Sequence, residues 1–151
     1  MRAIIQRVNF ANVKVESKVV GEIQKGLLVL LGIEDSDDDL DIEYLTSKIS
    51  NVRIFNDSDG KMNLSVKDVD GDILIISQFT LFASTKKGNR PSYIRASKGY
   101  IAEPIYIRFC KIMENKIGKI IQKGIFGADM QVSLINDGPV TIIFDSKEKD
   151  Y

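Results

Sequence analysis

Apolar and polar positions follow the period of β-strands over much of the chain. From Ala3 to Glu16 apolar residues partly alternate with polar ones, with an irregularity near Asn9–Asn12, which predicts one or two strand segments. Residues 18–23 are predicted to pair back on them as a hairpin. Residues 26–32 form an apolar run bounded by glycines, which is typical of a buried central strand. Further strands are predicted at 54–55, 62–66, 73–76, 130–134 and 140–144.

Two segments have the apolar spacing of a helix. Ser36 followed by Asp37–Asp39 predicts a solvated helix start, because a small polar cap and acidic residues suit a helix N-terminus. That helix is predicted to end near Asn51. A second helix is predicted to begin near Pro104 and to stop at Gly118. With no repeat or linker, the elements predict one α/β domain with helices on one side of an antiparallel or mixed sheet.

Length and charge narrow the class of protein. The 151 residues suffice for one domain with its own core, and no apolar run reaches the length of a membrane span. The N-terminus has no signal-peptide pattern, so a cytoplasmic location is expected, with no membrane partner. Lys plus Arg balance Asp plus Glu at 21 each, which argues against general nucleic-acid coating but permits a local basic patch.

The residue types that are missing exclude most common catalytic designs. There is no histidine and one cysteine, Cys110, so a Ser-His-Asp triad, a Cys-His pair and an internal disulfide are excluded. Cys110 is predicted to be a small core residue. Residues 57–60, Asp-Ser-Asp-Gly, fit a tight turn better than a calcium loop. No metal site and no cofactor are expected.

Two polar segments lie where an apolar sheet should continue. Residues 77–83, Ser-Gln-Phe-Thr-Leu-Phe-Ala, follow the strand 73–76, and residues 136–141, Asn-Asp-Gly-Pro-Val-Thr, separate the last two predicted strands. Polar groups at the end of a buried strand are costly unless they find partners or act on a ligand. Taken singly, each segment is also compatible with a sheet edge or a turn.

The segment from Ser84 to Lys98 is a long predicted loop with one sign of charge. It contains Lys86, Lys87, Arg90 and two further basic residues, and no acidic one. A solvated loop is the simple interpretation, but such a stretch in a neutral chain is a candidate phosphate-binding surface. Lys86, Lys87 and Arg90 are the expected RNA-binding residues.

The two polar segments together resemble the paired signature of the D-aminoacyl-tRNA deacylase family. Residues 1–8, 59–66, 87–92 and 126–132 also resemble family segments, so the likeness covers nearly the whole chain. The resemblance implies a single-domain α/β fold with three layers, α/β/β, mostly antiparallel sheets and two main helices. It places the domain at residues 1–145, and we expect the charged tail 146–151 to be frayed.

The resemblance implies hydrolysis of the ester that joins a D-amino acid to tRNA, and of glycine mischarged on alanine tRNA. The enzyme would be a homodimer in which a cis Gly138-Pro139 step reaches into the partner's active site and rejects L-amino acids. Ser77, Gln78, Phe79 and Thr80 would form the catalytic segment. The implied substrate-binding residues are Arg7, Ala102, Phe126, Met130, Asn136, Gly138, Pro139 and Thr141.

The chemistry is expected to rest on backbone groups and on the substrate itself. Backbone N–H groups around Gln78 and Phe79 would polarise the ester carbonyl, and the terminal ribose hydroxyl of the tRNA would orient water. Thr80 as a nucleophile is the alternative, although no base for it is evident. Editing of L-alanine on threonine tRNA and a non-catalytic nucleic-acid accessory role are the competing functions; Arg7 and the Ser-Gln-Phe-Thr form favour D-specificity.

Overall fold

The computed structural model describes residues 1–150, and one long strand organises its sheet. Strand β1 (Arg2–Val15) pairs antiparallel with three others. Its residues 11–15 meet β2 (Lys18–Ile23), its residues 2–8 meet β3 (Gly26–Gly32), and β8 (Gln131–Asp145) follows nearly its whole length. The predicted hairpin and the glycine-bounded central strand are confirmed with their predicted bounds.

The rest of the sheet is parallel, and the two helices supply the crossovers that parallel strands require. After α1 (Asp39–Asn51) the chain enters β6 (Asp72–Ser77), which pairs with β3. After α2 (Gly99–Ile117) it enters β7 (Gln122–Lys123), which pairs with β6. β4 (Phe55–Asn56) and β5 (Met62–Leu64) form a separate two-stranded sheet. The α/β class with two helices is confirmed.

Alternation along the central strands divides the core into two clusters. On β3, Leu27, Val29 and Leu31 pack towards the helices, whereas Leu28 and the partly buried Leu30 belong to the second cluster. β6 alternates in the same way. The second cluster is closed by Met130, Val132 and Leu134, so this part of the chain covers the face opposite the helices. The result is a layer of helices, a central sheet and a second β layer.

The start of α1 differs from the prediction. Its N-cap is Asp38, not Ser36, and Asp38 and Asp41 form a reciprocal capping box. Asp37 is not solvated: it is buried, and its carboxylate accepts a hydrogen bond from the Met1 ammonium group. A local pattern assigns a charge at a helix start to solvent, because it does not show which distant group meets that charge.

Three further elements depart from their predicted bounds. α2 begins at Gly99, so Pro104 lies inside the helix rather than at its first turn. β8 is one strand, although the Gly-Pro step predicts a division. The start of the tail is held by contacts where fraying was expected. The Ser146 N–H donates to Met1 O at 2.9 Å, and Lys147 Nζ lies 2.6 Å from Asp41 Oδ2. Tyr151 lies outside the described residues. Within residues 1–150, no helix is both long and apolar enough to cross a bilayer.

Candidate functional site

A cavity of about 400 Å³ opens where β6 ends and the chain turns into a short 3-10 helix, Phe79–Phe82. One wall comes from Ser77, Gln78 and Phe79, and another comes from the start of α2 and the segment that precedes β8. The structure thus gathers six of the predicted site residues in one cavity: Ser77, Gln78, Phe79, Ala102, Phe126 and Met130. The largely apolar lining suits a ligand with a flat hydrophobic part.

Two glycines let the walls of this cavity approach each other closely. A Cβ on Gly32 would lie 3.0 Å from Leu81 Cβ and 3.1 Å from Gln78 O, so glycine at this position lets residues 78–81 lie directly over the end of β3. A Cβ on Gly124 would lie 2.4 Å from Met130 Sδ. Any larger residue at position 124 would therefore displace Met130 from the cavity wall.

The two backbone donors predicted to polarise the ester differ in availability. The Gln78 N–H donates to Leu31 O at 2.7 Å and so belongs to the sheet, which corrects the expectation that it is free. Within residues 1–150, no carbonyl accepts a hydrogen bond from the Phe79 N–H, the first of the 3-10 helix. Phe79 therefore offers the free backbone donor at this wall of the cavity.

Thr80 lies next to the cavity but does not line it. Its Oγ1 accepts a hydrogen bond from Gln78 Nε2, the side chain at the N-cap of the 3-10 helix. The NH₂ group of an amide cannot take a proton from a hydroxyl, and in the described chain no carboxylate or amine contacts Thr80. The geometry therefore gives Thr80 an orienting contact and no base.

Gly138-Pro139 lies on an excursion from β8, and its peptide bond is cis. Asn136 pairs with Val8 and Thr141 pairs with Gln6, so residues 137–140 of β8 stand opposite Arg7 alone. Gly138 has a φ of +116°, which favours glycine. Gly138 and Pro139 are exposed and do not line the cavity of their own chain.

Arg7, Asn136 and Thr141 fasten this excursion to the sheet. Arg7 is only 7% exposed; its Nε lies 2.9 Å from Asp137 Oδ2, although the N–H is not aligned for a hydrogen bond, and its Nη1 donates to Ile54 O. Asn136 Nδ2 bridges the base of the excursion, at 3.0 Å from Arg7 O and 2.9 Å from Val140 O. The Thr141 hydroxyl donates to Asn136 Oδ1 at 3.3 Å. Arg7 is thus a buried residue that holds the excursion against the sheet.

The basic loop forms a second depression of about 330 Å³, lined by Lys86, Lys87, Arg90, Arg95 and neutral residues. Arg95 lies 3.4 Å from Glu34, whereas Lys86, Lys87 and Arg90 form no salt bridge with any described carboxylate. Three uncompensated cations therefore face solvent together, which is the arrangement that a phosphate backbone requires.

Several residues that line the cavity are not among the predicted site residues. Ser97, Gly99 and Asp129 line the cavity, and Asp129 is the sole ionisable side chain among the lining residues described. Ser97 and Gly99 lie at the boundary between the basic loop and α2, and Pro104 as a helix start places that boundary too late. α2 in fact begins at Gly99, and its N-cap residue gives no side-chain hydrogen bond. The polar groups at this helix start, with Ser97 just before it, therefore belong to the cavity wall.

The buried ionisable groups of α2, Tyr106 and Cys110, do not line the cavity. Burial raises the pKa of the Cys110 thiol to about 11, and burial also raises the pKa of Tyr106. The Tyr106 hydroxyl donates to Ile75 O at 2.9 Å and so ties α2 to β6. Cys110 is a core residue, as predicted. In the described residues, no group of three or more His, Cys, Asp and Glu side chains is placed to hold a metal ion.

Comparison with known proteins gives a consistent picture. The family model described as D-Tyr-tRNA(Tyr) deacylase matches residues 4–145. A D-aminoacyl-tRNA deacylase of Flavobacterium psychrophilum is 63% identical over 99% of this chain and 100% of its own length. One of Christiangramia forsetii is 61% identical over 99% of each chain. Among solved structures, a protein described as c-Myc DNA unwinding element binding protein is 40% identical, with a TM-score of 0.91 over 96% of this chain and 98% of its own.

Proposed function

Because this chain belongs to the D-Tyr-tRNA(Tyr) deacylase family and is a D-aminoacyl-tRNA hydrolase, we propose that the cavity beside Ser77, Gln78 and Phe79 receives the aminoacylated 3′ end of tRNA. The observation that carries this proposal is the meeting of that segment with Ala102, Phe126 and Met130 around one opening. A hydrophobic cavity with one polar wall can hold a nucleoside and present its ester to the polar wall.

The proposed chirality filter needs a second copy of the chain. Gly138 and Pro139 are exposed and lie outside their own cavity, so a filter made of their carbonyl oxygens must act on the cavity of a partner. β8 also exposes Ile135, at 59%, and Ile143, at 40%, as an apolar surface for association. In the homodimer these carbonyls occupy the space of an L side chain, whereas D-amino acids and glycine are accepted, including glycine mischarged on alanine tRNA.

The proposed chemistry needs no nucleophile from the protein. The free N–H of Phe79 stabilises the developing oxyanion, and the ribose hydroxyl of the tRNA orients the attacking water. An aminoacyl ester is already activated, so modest electrostatic help is sufficient. The Thr80 hydroxyl, which accepts from the Gln78 side chain, is a support for the segment.

Lys86, Lys87 and Arg90 are proposed to contact the tRNA backbone. They lie on the loop that leads from the catalytic segment to α2, and they have no carboxylate partner among residues 1–150. Phosphate contacts of this kind position a nucleic acid without reading its sequence.

The decisive experiment compares D- and L-tyrosyl-tRNA as substrates of the purified protein. Rejection of the L form by about 10⁴-fold corresponds to roughly 5.5 kcal/mol, a difference that a rigid backbone wall can supply. Rapid hydrolysis of L-alanine from threonine tRNA, with no preference for D- over L-tyrosyl-tRNA, would contradict the proposal. That result would indicate the L-alanine editing function instead.

A DNA-related accessory role is the second candidate, because the 40% identical solved structure is described as a DNA unwinding element binding protein. The three uncompensated cations of the basic loop would serve that role too. Binding of duplex DNA as tight as tRNA binding, together with no deacylation, would favour it. We expect hydrolysis, since Ser77, Gln78 and Phe79 line the cavity together.

A further inference from the structure

The cavity contains a hydroxyl group without a partner. Ser97 is only 8% exposed and lines the cavity, and its Oγ is buried without a hydrogen-bond partner in the described chain. Buried hydroxyls almost always have a partner, because water bound to them in the unfolded chain must be replaced. An orphaned hydroxyl on a cavity wall therefore indicates a partner that arrives with a ligand.

The backbone fixes the position of this hydroxyl. The Ser97 N–H donates to Ile33 O at 2.9 Å, and Ala96 forms a bridge with Glu34, so the segment is held against the end of β3. Directly after it α2 begins, with Lys98 as an N-cap that gives no side-chain hydrogen bond. Gly99, whose N–H has no carbonyl acceptor in residues 1–150, also lines the cavity. Ser97 and the start of α2 together form one polar edge.

The other lining residues select the kind of ligand that meets this edge. Most of them are apolar, namely Leu31, Ile33, Ile76, Phe126, Met130 and Val132. No Lys or Arg lines the cavity, and the one ionisable residue among the described lining residues is the acid Asp129, which disfavours a phosphate there. A neutral, flat heterocycle with hydrogen-bonding atoms on its rim fits an apolar slot that has a polar edge at Ser97.

We propose that the Ser97 hydroxyl binds the adenine of the 3′-terminal nucleotide of tRNA, by donating a hydrogen bond to one ring nitrogen. This inference rests on the proposed function, because it assumes that the 3′ end of tRNA enters this cavity. It adds a base-binding residue that no sequence pattern indicates, and it accounts for the orphaned hydroxyl.

The test combines Ser97→Ala with D-tyrosyl-tRNA substrates whose terminal adenosine lacks one ring nitrogen at a time. With the natural substrate, Ser97→Ala should raise KM about 10-fold and leave kcat nearly unchanged, since this hydrogen bond contributes equally to the ground and transition states. One of the deaza substrates should raise the KM of the wild-type enzyme by the same factor. That substrate should not raise the KM of Ser97→Ala any further. Ser58→Ala, in an exposed turn, is the matched control and should behave as wild type.

The thermal stability of Ser97→Ala distinguishes a binding role of Ser97 from a structural one. Removing an unpartnered buried hydroxyl should leave the Tm of the free protein unchanged or raise it. The inference would be overturned if Ser97→Ala had a lowered Tm with a proportionate loss of kcat, or if its KM were unchanged. It would also be overturned if every deaza substrate raised the KM of Ser97→Ala as much as it raised that of the wild type. If wild-type enzyme does not hydrolyse D-tyrosyl-tRNA, the proposed function fails; if it does and Ser97→Ala matches it, only this inference fails.

Discussion

At the scale of single residues, Arg7 shows how a buried charge can be retained. Its guanidinium group meets Ile54 O on one side and Asp137 on the other, so it joins the core to the Gly-Pro excursion. The planar fork of an arginine can serve two partners in different directions, whereas the ammonium group of lysine is a compact point donor. Arg7 therefore fixes the excursion by geometry as well as by charge.

Arg7→Lys should weaken the rejection of L-substrates more than it weakens D-hydrolysis. A lysine ammonium cannot serve both Ile54 O and Asp137, so the excursion is held less rigidly. We expect the ratio of kcat/KM for D- over L-tyrosyl-tRNA to fall about 10-fold or more. The matched control is Arg108→Lys, whose side chain is 53% exposed and pairs with Asp39. An unchanged ratio in the Arg7 variant would remove Arg7 from the filter.

Thr80→Ala should remain an active hydrolase. The variant lacks one hydrogen bond with Gln78, for which a decrease in kcat of at most about 10-fold is expected. A nucleophile removed in the same way would cost several orders of magnitude. Single-turnover hydrolysis of D-tyrosyl-tRNA distinguishes the two results, and circular dichroism shows whether the variant is folded.

Sequence reasoning finds the residues that carry motifs and misses those whose role depends on distant contacts. Resemblance names Arg7, Ala102, Phe126 and Met130, and the structure places the last three in the cavity. The pairing of Asp37 with Met1 joins groups 36 positions apart, and no local pattern encodes it. For the same reason, sequence reasoning does not identify Ser97. Only the folded chain shows that its hydroxyl has no partner among the described residues.

At the scale of elements, the start of α1 makes stability depend on pH. Burial opposes ionisation of Asp41, but hydrogen bonds from Lys147 and Ser146 outweigh it and lower the pKa of Asp41 to about 2. A depressed pKa means that the carboxylate stabilises the fold above its unfolded pKa of 3.8 and loses that contribution as the pH falls towards about 2.

Asp41→Asn should therefore lower the free energy of unfolding by at most about 2 kcal/mol at pH 7, and the difference from wild type should shrink between about pH 4 and pH 2. Asparagine keeps an acceptor for the Asp38 N–H, so the helix cap is largely retained. Asp39→Asn, at a side chain that is 72% exposed, is the control and should have little effect. Urea unfolding across this pH range measures the difference.

The basic loop should make activity depend steeply on salt. Replacing Lys86, Lys87 and Arg90 by Ala should make the plot of log kcat/KM against log salt concentration shallower by about 2, since each phosphate contact releases about 0.7 of a counterion from a single strand. The same replacements at Lys18, Lys61 and Lys111, which are exposed elsewhere, should leave the slope unchanged. Equal slopes for both triple variants would exclude the loop from tRNA binding.

Elements with a strong local pattern are predicted well, and elements defined by tertiary pairing are not. β2 and β3 match their predicted bounds because alternation and a glycine-bounded apolar run are unambiguous. The two-residue β7 has no pattern of its own, and only its pairing with β6 makes it a strand. β8 remains one strand across Gly-Pro because β1 holds both of its halves.

At the scale of the whole molecule, the proposed homodimer has a clear consequence. If each cavity uses the excursion of the partner, a chain with a blocked cavity and an intact excursion can still supply a filter. Ala102→Trp blocks the cavity, and Pro139→Ala alters the excursion. Pro139→Ala is mixed with an excess of Ala102→Trp under conditions that exchange subunits. The hydrolysis of L-tyrosyl-tRNA by Pro139→Ala should then be suppressed, and its hydrolysis of D-tyrosyl-tRNA should be preserved.

An excursion that served its own cavity would give the opposite result. The excess of blocked chains would then change neither rate, because every open cavity would retain its own altered filter. Ala102→Trp combined with Pro139→Ala is the control chain, since it can exchange but offers no intact excursion. The ratio of L to D rates at increasing excess is the quantity to measure.

If the proposed filter operates, the excursion opposite Arg7 also separates substrate specificity from the architecture of the sheet. β8 pairs with β1 at Asn136 and again at Thr141, and the register shift beside Arg7 takes up the extra length of the intervening residues. Residues 137–140 are therefore the part of this region of β8 that has no pairing of its own with β1, whereas Asn136 and Thr141 on both flanks are paired. Under the proposed filter, substitutions at these four positions would change substrate preference without altering the core beneath them.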